Sequence, residues 1–300
     1  VTENFILTIV YLIAGIILSR IFKLPPKTFN YLNLYAIYIA LPAMVLLKIP
    51  ELTYSSDLII LALMPWIMIA VSVAAVFTMA RMFSWKRNVV GALLLLIPLG
   101  NTSFLGIPMV STFFGHHAIP YAVIYDQLGS FLALATYGSV VLAFYSREEV
   151  IEEKYGMLKK VVTFPPFIAM IAAFILKLIT YPVFVKSSLS VLASTLVPVV
   201  MIAVGFQLTF RIDRKILSPL TAGLLFKLAA APFIALFICR LMGLNGMEAK
   251  VAVFEAGMPP MVSAGALAIM AKLSPSLSVS LVGFGILISF ITLPILFSFL

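Results

Sequence analysis

Three ionisable side chains lie inside long apolar runs: Asp126 in Ile-Tyr-Asp-Gln-Leu-Gly, Glu255 in Val-Phe-Glu-Ala-Gly-Met-Pro-Pro, and Lys227 in Leu-Phe-Lys-Leu-Ala. A charge at the centre of a bilayer costs about 2.5–3.5 kcal/mol on insertion scales, so such residues face a protein interior and mark a path for ions or solutes. Two polar or proline-rich interruptions accompany them. Asn101, Thr102 and Ser103 follow Gly100 between Pro98 and Pro108, and Met258, Pro259, Pro260 and Met261 follow Gly257. A hard cation takes carboxylate, amide, hydroxyl and carbonyl oxygens. Asn101, Thr102, Ser103, Asp126, Gln127, Glu255 and the carbonyls freed near Met258 can supply them.

The expected assignment divides these residues by chemistry. Asn101, Thr102, Ser103, Pro259, Pro260 and Met261 line a substrate site. Glu255, Asp126, Gln127, Asn101 and Met258 carry a coupling ion or proton, with a sodium held at Glu255, Asp126 and Asn101. No other cofactor is expected. Plainer roles stand beside these. Glu255 could be protonated and hydrogen-bonded to a carbonyl or pair with Lys227, Asp126 could form a structural salt bridge or lie nearer the interface, and Lys227 could snorkel or neutralise an acid. Gln207 could join two helices, and His116 and His117 read as a solvated turn.

The elements that must position these groups are membrane spans. The 300 residues are 63% hydrophobic and 10% charged, with a mean hydropathy of +1.17. Soluble chains run near 45–50% apolar and about 25% charged, so an ordinary soluble domain and a disordered chain are both excluded. A helix needs about 20 apolar residues to cross the hydrocarbon. Ten stretches qualify: 4–22, 29–49, 57–82, 88–113, 117–145, 161–180, 188–210, 217–241, 247–272 and 276–299. Fourteen of the twenty Lys and Arg residues fall in odd-numbered loops, five in even-numbered loops, and Lys227 lies within a span. Positive loops stay cytoplasmic. The chain is therefore expected in the cell (inner) membrane as a multi-pass protein with both termini outside. Its net charge of +9 follows from insertion and needs no nucleic acid. With Val1 first, the native start is expected to be trimmed or replaced. Cys239, the single cysteine, has no partner for a disulfide or a metal motif.

The charged segment 147–160 divides the chain into 1–146 (spans one to five) and 161–300 (spans six to ten). An odd number of spans per half inverts the second half relative to the first, the design of many secondary transporters. Landmarks recur at a nearly constant offset: Phe5 and Val161, Pro42 and Pro198, Gly100 and Gly257. Proline lacks an N–H and clashes with the preceding turn, and the residue before it leaves the helical region. Spans four and nine are therefore expected to break. Unpaired backbone at that depth is tolerated only inside protein or beside a watery cavity. Matched breaks in inverted halves indicate one shared site near the midplane. The fold expectation is an all-α membrane protein of ten transmembrane helices, a 5+5 inverted repeat with crossed broken helices four and nine.

Gly-Asn-Thr-Ser-Phe-Leu-Gly-Ile-Pro (100–108), Tyr-Asp-Gln-Leu-Gly (125–129) and Glu-Ala-Gly-Met-Pro-Pro-Met-Val (255–262) together resemble the auxin efflux carrier family in its prokaryotic branch. The resemblance covers the whole chain in length, span count and motif order. It implies a scaffold domain (spans 1, 2, 6, 7), a transport domain (spans 3–5, 8–10), and an elevator-type alternating-access mechanism. It also implies a small organic carboxylate as substrate and a homodimer through the scaffold spans. Glu-Ala-Gly-Met is similar, more distantly, to the matching stretch of sodium-coupled bile acid transporters, which implies a sodium role for Glu255. Pro259-Pro260 stand where those transporters carry side-chain amides. Sodium coupling, proton coupling and uncoupled transport all stay open.

The reading is thus a secondary active transporter of a small organic anion, coupled to sodium or protons. The alternative is an inorganic cation/proton antiporter on the same crossed-helix fold. The chain is not expected to be an enzyme. It has no Gly-x-x-x-x-Gly-Lys-Ser/Thr phosphate loop, and no Gly-x-Gly-Asp stretch surrounds Asp126 to make an aspartyl dyad with Glu255.

Overall fold

Many large apolar side chains are exposed while three ionisable ones, Asp126, Lys227 and Glu255, are buried, the reverse of a water-soluble domain. In the computed structural model Leu178 is 92% exposed and Phe184 81%, while Asp126 and Glu255 are wholly buried. The structure describes residues 2–22, 24–25, 27–52, 55–146, 163–208 and 216–300. The charged segment expected at 147–160 lies outside the described residues.

Among the described residues the chain is helical, without β-strands. It opens with α1 (Thr2–Arg20), α2 (Lys27–Tyr35), α3 (Leu41–Lys48) and α4 (Asp57–Phe83). Next come α5 (Arg87–Leu96), α6 (Ile107–Phe114), α7 (Ile119–Tyr125), α8 (Leu132–Ala135) and α9 (Tyr137–Tyr145). The second half holds α10 (Pro165–Leu176), α11 (Val183–Ser194), α12 (Leu196–Gln207) and α13 (Leu217–Leu225). It ends with α14 (Ala231–Leu241), α15 (Met247–Ala256), α16 (Val262–Met270) and α17 (Pro275–Phe297).

Among the described residues seven continuous helical runs are long and apolar enough to cross a membrane. They coincide with the expected spans one, two, three, five, seven, eight and ten. Spans four and nine, expected to break, are not continuous runs of that length among the described residues, and span six, expected over 161–180, is shorter than expected there. Span four resolves into Arg87–Leu96 and Thr102–Phe114, span six into the 12-residue α10, and span nine into α15 and α16. Prolines account for all three. Pro98 and the pair Pro259-Pro260 interrupt spans four and nine, while Pro165 fixes the start of α10 at its first helical position, where its missing N–H is not needed.

Among the described residues four π-helical turns, Ala36–Ala40, Thr102–Gly106, Asp126–Phe131 and Phe226–Ala230, join helical segments. Three of them end two residues before a proline: Pro42, Pro108 and Pro232. A proline ring clashes with the carbonyl four residues back, and a widened turn relieves that clash without ending the helix.

The chain divides into two units, one of 1–54, 103–123 and 162–208, the other of 55–102, 124–161 and 209–300. In the first unit α1 and α12 pack backbone to backbone. A methyl group on Gly15 would lie 2.1 Å from the Ile202 carbonyl oxygen, and one on Gly205 2.1 Å from that of Leu12. Small residues permit such close approach where lipid gives no hydrophobic drive for association. Arg20 donates to the Leu208 carbonyl at 2.9 Å, tying the ends of the pair. In the second unit an apolar core of Leu93, Leu95, Leu96, Leu220, Leu224, Ala264, Leu277 and Leu281 fixes α5, α13, α16 and α17 around the segments described next.

Candidate functional site

Both interruptions lie in the second unit, and their backbones meet. Pro98 cannot donate an N–H, and α5 ends at Leu96. Pro259 and Pro260 remove two successive donors, and α15 ends at Ala256. The Asn101 N–H donates to the Pro259 carbonyl at 2.8 Å, and the Met261 N–H donates to the Leu99 carbonyl at 2.9 Å. Gly100 and Pro260 stand opposite each other as an antiparallel pair. Each break thus satisfies backbone groups that the other exposes, as buried polar backbone requires. The chain tightens after α15 as well: Met258 N–H bonds the Glu255 carbonyl at 3.1 Å. Opposite the two rings, α17 presents Gly285. A methyl group there would come within 2.7 Å of Pro260 Cδ and 3.3 Å of Pro259 Cβ.

Polar side chains gather on this junction. The Thr102 hydroxyl donates to Asp126 Oδ1 at 2.5 Å, and Gln127 Nε2 donates to Asp126 Oδ2 at 2.7 Å. Asp126 and Gln127 open a π-helical turn, and Trp66 of α4 donates its indole N–H to the Leu128 carbonyl of the same turn at 3.0 Å. Each Asp126 oxygen therefore has a donor. Glu255 differs. It is wholly buried, and neither of its carboxylate oxygens has a hydrogen-bond partner. Asn101 Nδ2 and Gln127 Oε1 are likewise buried without partners. Lys227, also on a π-helical turn, is 4% exposed. It makes no hydrogen bond with Glu255, so the direct pair weighed from the sequence is not made.

Of the expected site residues, Asn101, Thr102, Asp126, Gln127, Glu255, Met258, Pro259, Pro260 and Met261 fall in the second unit, and Ser103 falls in the first. Gln207, His116 and His117 also belong to the first unit. There His116 Nδ1 lies 3.1 Å from Ser111 Oγ. Trp66 and Gly285 escaped sequence reasoning. A tryptophan in an apolar span and a glycine in an apolar helix carry no signal until their partners are known.

No cluster of three or more His, Cys, Asp or Glu occurs among the described residues. The partnerless atoms include a carboxylate and an amide oxygen, the ligand types of sodium-like ions.

A family model described as membrane transport protein matches residues 1–297. An uncharacterized transporter of Methanothermobacter thermautotrophicus is 27% identical over 297 residues, 98% of this chain and 96% of that protein. An uncharacterized transporter of Methanocaldococcus jannaschii is 28% identical over 256 residues, 80% of each chain.

Proposed function

The chain belongs to the membrane transport protein family, the family of the auxin efflux carriers, and from that premise we propose that it is a secondary active transporter of a small organic anion. The observation that carries the reading is the reciprocal backbone pair Asn101–Pro259 and Met261–Leu99. Two helices interrupted by proline, joined at the interruption and flanked by three buried ionisable residues, form the kind of midplane site that alternating-access carriers use. In this reading spans four and nine cross in the membrane as members of two inverted five-span halves, with both termini outside.

The chemistry follows from helix ends. The first N–H groups of α16 have no helical acceptor, and the positive pole there favours a carboxylate by about 0.3–1 kcal/mol, more when partly buried. Asn101, with its partnerless Nδ2, supplies a further donor. Glu255 has the most to gain from a positive charge, because a buried carboxylate without donors is costly. It takes the coupling proton or, with Gln127, Asp126 and Asn101, would hold a sodium ion, whose contribution is a compact positive charge. The family resemblance supports an elevator-type movement in which a transport domain (spans three to five and eight to ten) shifts past a scaffold domain (spans one, two, six and seven). A homodimer through spans one, two, six and seven would supply the anchor.

A second reading, an inorganic cation/proton antiporter, draws on the same unpartnered Glu255. Purified protein in sealed vesicles separates the two. Uptake of a labelled small carboxylate, lost in Asn101→Ala with the fold intact, supports anion transport. Gradient-driven sodium or proton exchange with no organic solute present supports the antiporter.

A further inference from the structure

Lys227 is the buried charge to which neither the substrate reading nor the coupling reading gives a task. Its position is unusual. A methyl group placed on Gly100 would lie 3.3 Å from Lys227 Nζ, 3.5 Å from Thr102 Cγ2 and 3.6 Å from the Glu255 carbonyl oxygen. The ammonium therefore stands beside Gly100, four residues past the C-terminal end of α5, where the Glu255 carbonyl in the last turn of α15 also lies close. The carbonyl end of a helix is a negative pole. In broken-helix carriers the carbonyl ends of half-helices are where coordinating cations are held. Here a side chain of the protein already places a positive charge there.

From this geometry we infer that Lys227 is a tethered counter-cation: its ammonium takes the place of a diffusible sodium ion beside Gly100 and the carbonyl end of α15. The inference deepens the transport reading and rests on it for its consequence, which is that coupling runs without a sodium ion at this position. The charge balance supports it. With all three groups ionised, Asp126, Glu255 and Lys227 sum to one negative charge, which a single proton on the cluster cancels. Without Lys227 the sum is two negative charges in a buried site, and a second cation is needed to hold them. Lys227 makes no hydrogen bond to the Glu255 carboxylate. Its role is therefore one of charge at a distance, and any compact cation at the same place would serve.

The test is a binding measurement on purified protein in detergent and needs no knowledge of the transported solute. The probe is radioactive sodium at fixed ionic strength, with choline as the replacement cation and thermal stability measured in parallel. Wild-type protein and Lys227→Arg should show no saturable sodium binding at this cluster. Lys227→Met should acquire it, approaching about one ion per chain, together with a sodium-dependent rise in its unfolding temperature. The double variant Lys227→Met/Glu255→Gln, whose cluster again sums to one negative charge, should lose that binding. It should also be stable without sodium, so the inference stays testable if the single variant folds poorly.

Saturable sodium binding by wild-type protein that Glu255→Gln removes would overturn the inference. So would a Lys227→Met protein indifferent to sodium, or a double variant less stable than the single one. If the binding results come out as stated but no carboxylate is carried in vesicles, the transport reading fails and the tethered cation stands.

Discussion

Tyr137 donates its hydroxyl to the carbonyl of Leu94 at 2.7 Å. Leu94 is the residue four before Pro98, so its carbonyl is the one that the proline leaves without a helical donor. A side chain from α9 thus closes the backbone gap that ends α5, and an α5 broken at this point has its exposed carbonyl satisfied inside the second unit. Removing the hydroxyl leaves a buried acceptor unpaired, at a cost of about 1–3 kcal/mol. Tyr137→Phe should lower the unfolding temperature of purified protein measurably while Tyr145→Phe leaves it nearly unchanged. Equal effects of the two would mean that the Leu94 carbonyl finds another partner.

The two rings at 259–260 fit because Gly285 leaves them room. Gly285→Val pushes branched carbons into Pro260, an overpacking that costs about 1–3 kcal/mol. It should also displace the Pro259 carbonyl from Asn101. Transport should fall more steeply than stability, judged by vesicle uptake against the fraction of folded protein. A variant with full uptake would show that the diproline register is not critical.

Glu255→Gln removes the unpartnered charge and keeps the shape. It should uncouple the carrier: substrate exchange between two loaded compartments persists, while accumulation driven by an imposed ion or pH gradient is lost. Unchanged gradient-driven accumulation would relieve Glu255 of the coupling role.

In the first unit Gly15 and Gly205 hold α1 against α12 at a distance that no side chain tolerates. Gly15→Leu or Gly205→Leu should separate the pair and destabilise the unit by about 3 kcal/mol or more, an estimate at the upper end for overpacked positions. The readout is the yield of monodisperse protein after extraction, with Gly243→Leu as a control. Gly243 has open space around it, but its φ of +70° adds backbone strain. Its variant should still be recovered in larger amount than either helix-pair variant.

Much of this was legible in the amino-acid order because a bilayer imposes simple length and polarity rules. The boundaries of Asp57–Phe83, Leu217–Leu241 and Pro275–Phe297 lie within one or two residues of the apolar stretches read from composition. The interruptions at Pro98–Gly100 and Gly257–Pro260 followed from the missing proline N–H groups. Burial of Asp126, Lys227 and Glu255 followed from the cost of charge in lipid.

What stayed hidden depends on partners distant in sequence. No local rule pairs Asn101 with Pro259, assigns Tyr137 to the Leu94 carbonyl, or sets Gly285 against a proline ring. The π-helical turns were missed for a different reason. Their signal, a proline two residues past the turn at Pro42, Pro108 and Pro232, is present in the sequence but reads equally well as a kink. The Lys227–Glu255 pair was weighed on charge alone, and the structure puts the ammonium beside Gly100 instead.

The account stands on the junction of the two interrupted helices being where a small carboxylate binds. The most direct measurement is the unfolding temperature of purified wild-type and Asn101→Ala protein across a panel of small mono- and dicarboxylates. A ligand at 100 times its dissociation constant stabilises by about 2.7 kcal/mol. At least one carboxylate should therefore raise the wild-type midpoint by a clear margin and leave Asn101→Ala where it was. An equal rise in both proteins would place the carboxylate elsewhere and contradict the account.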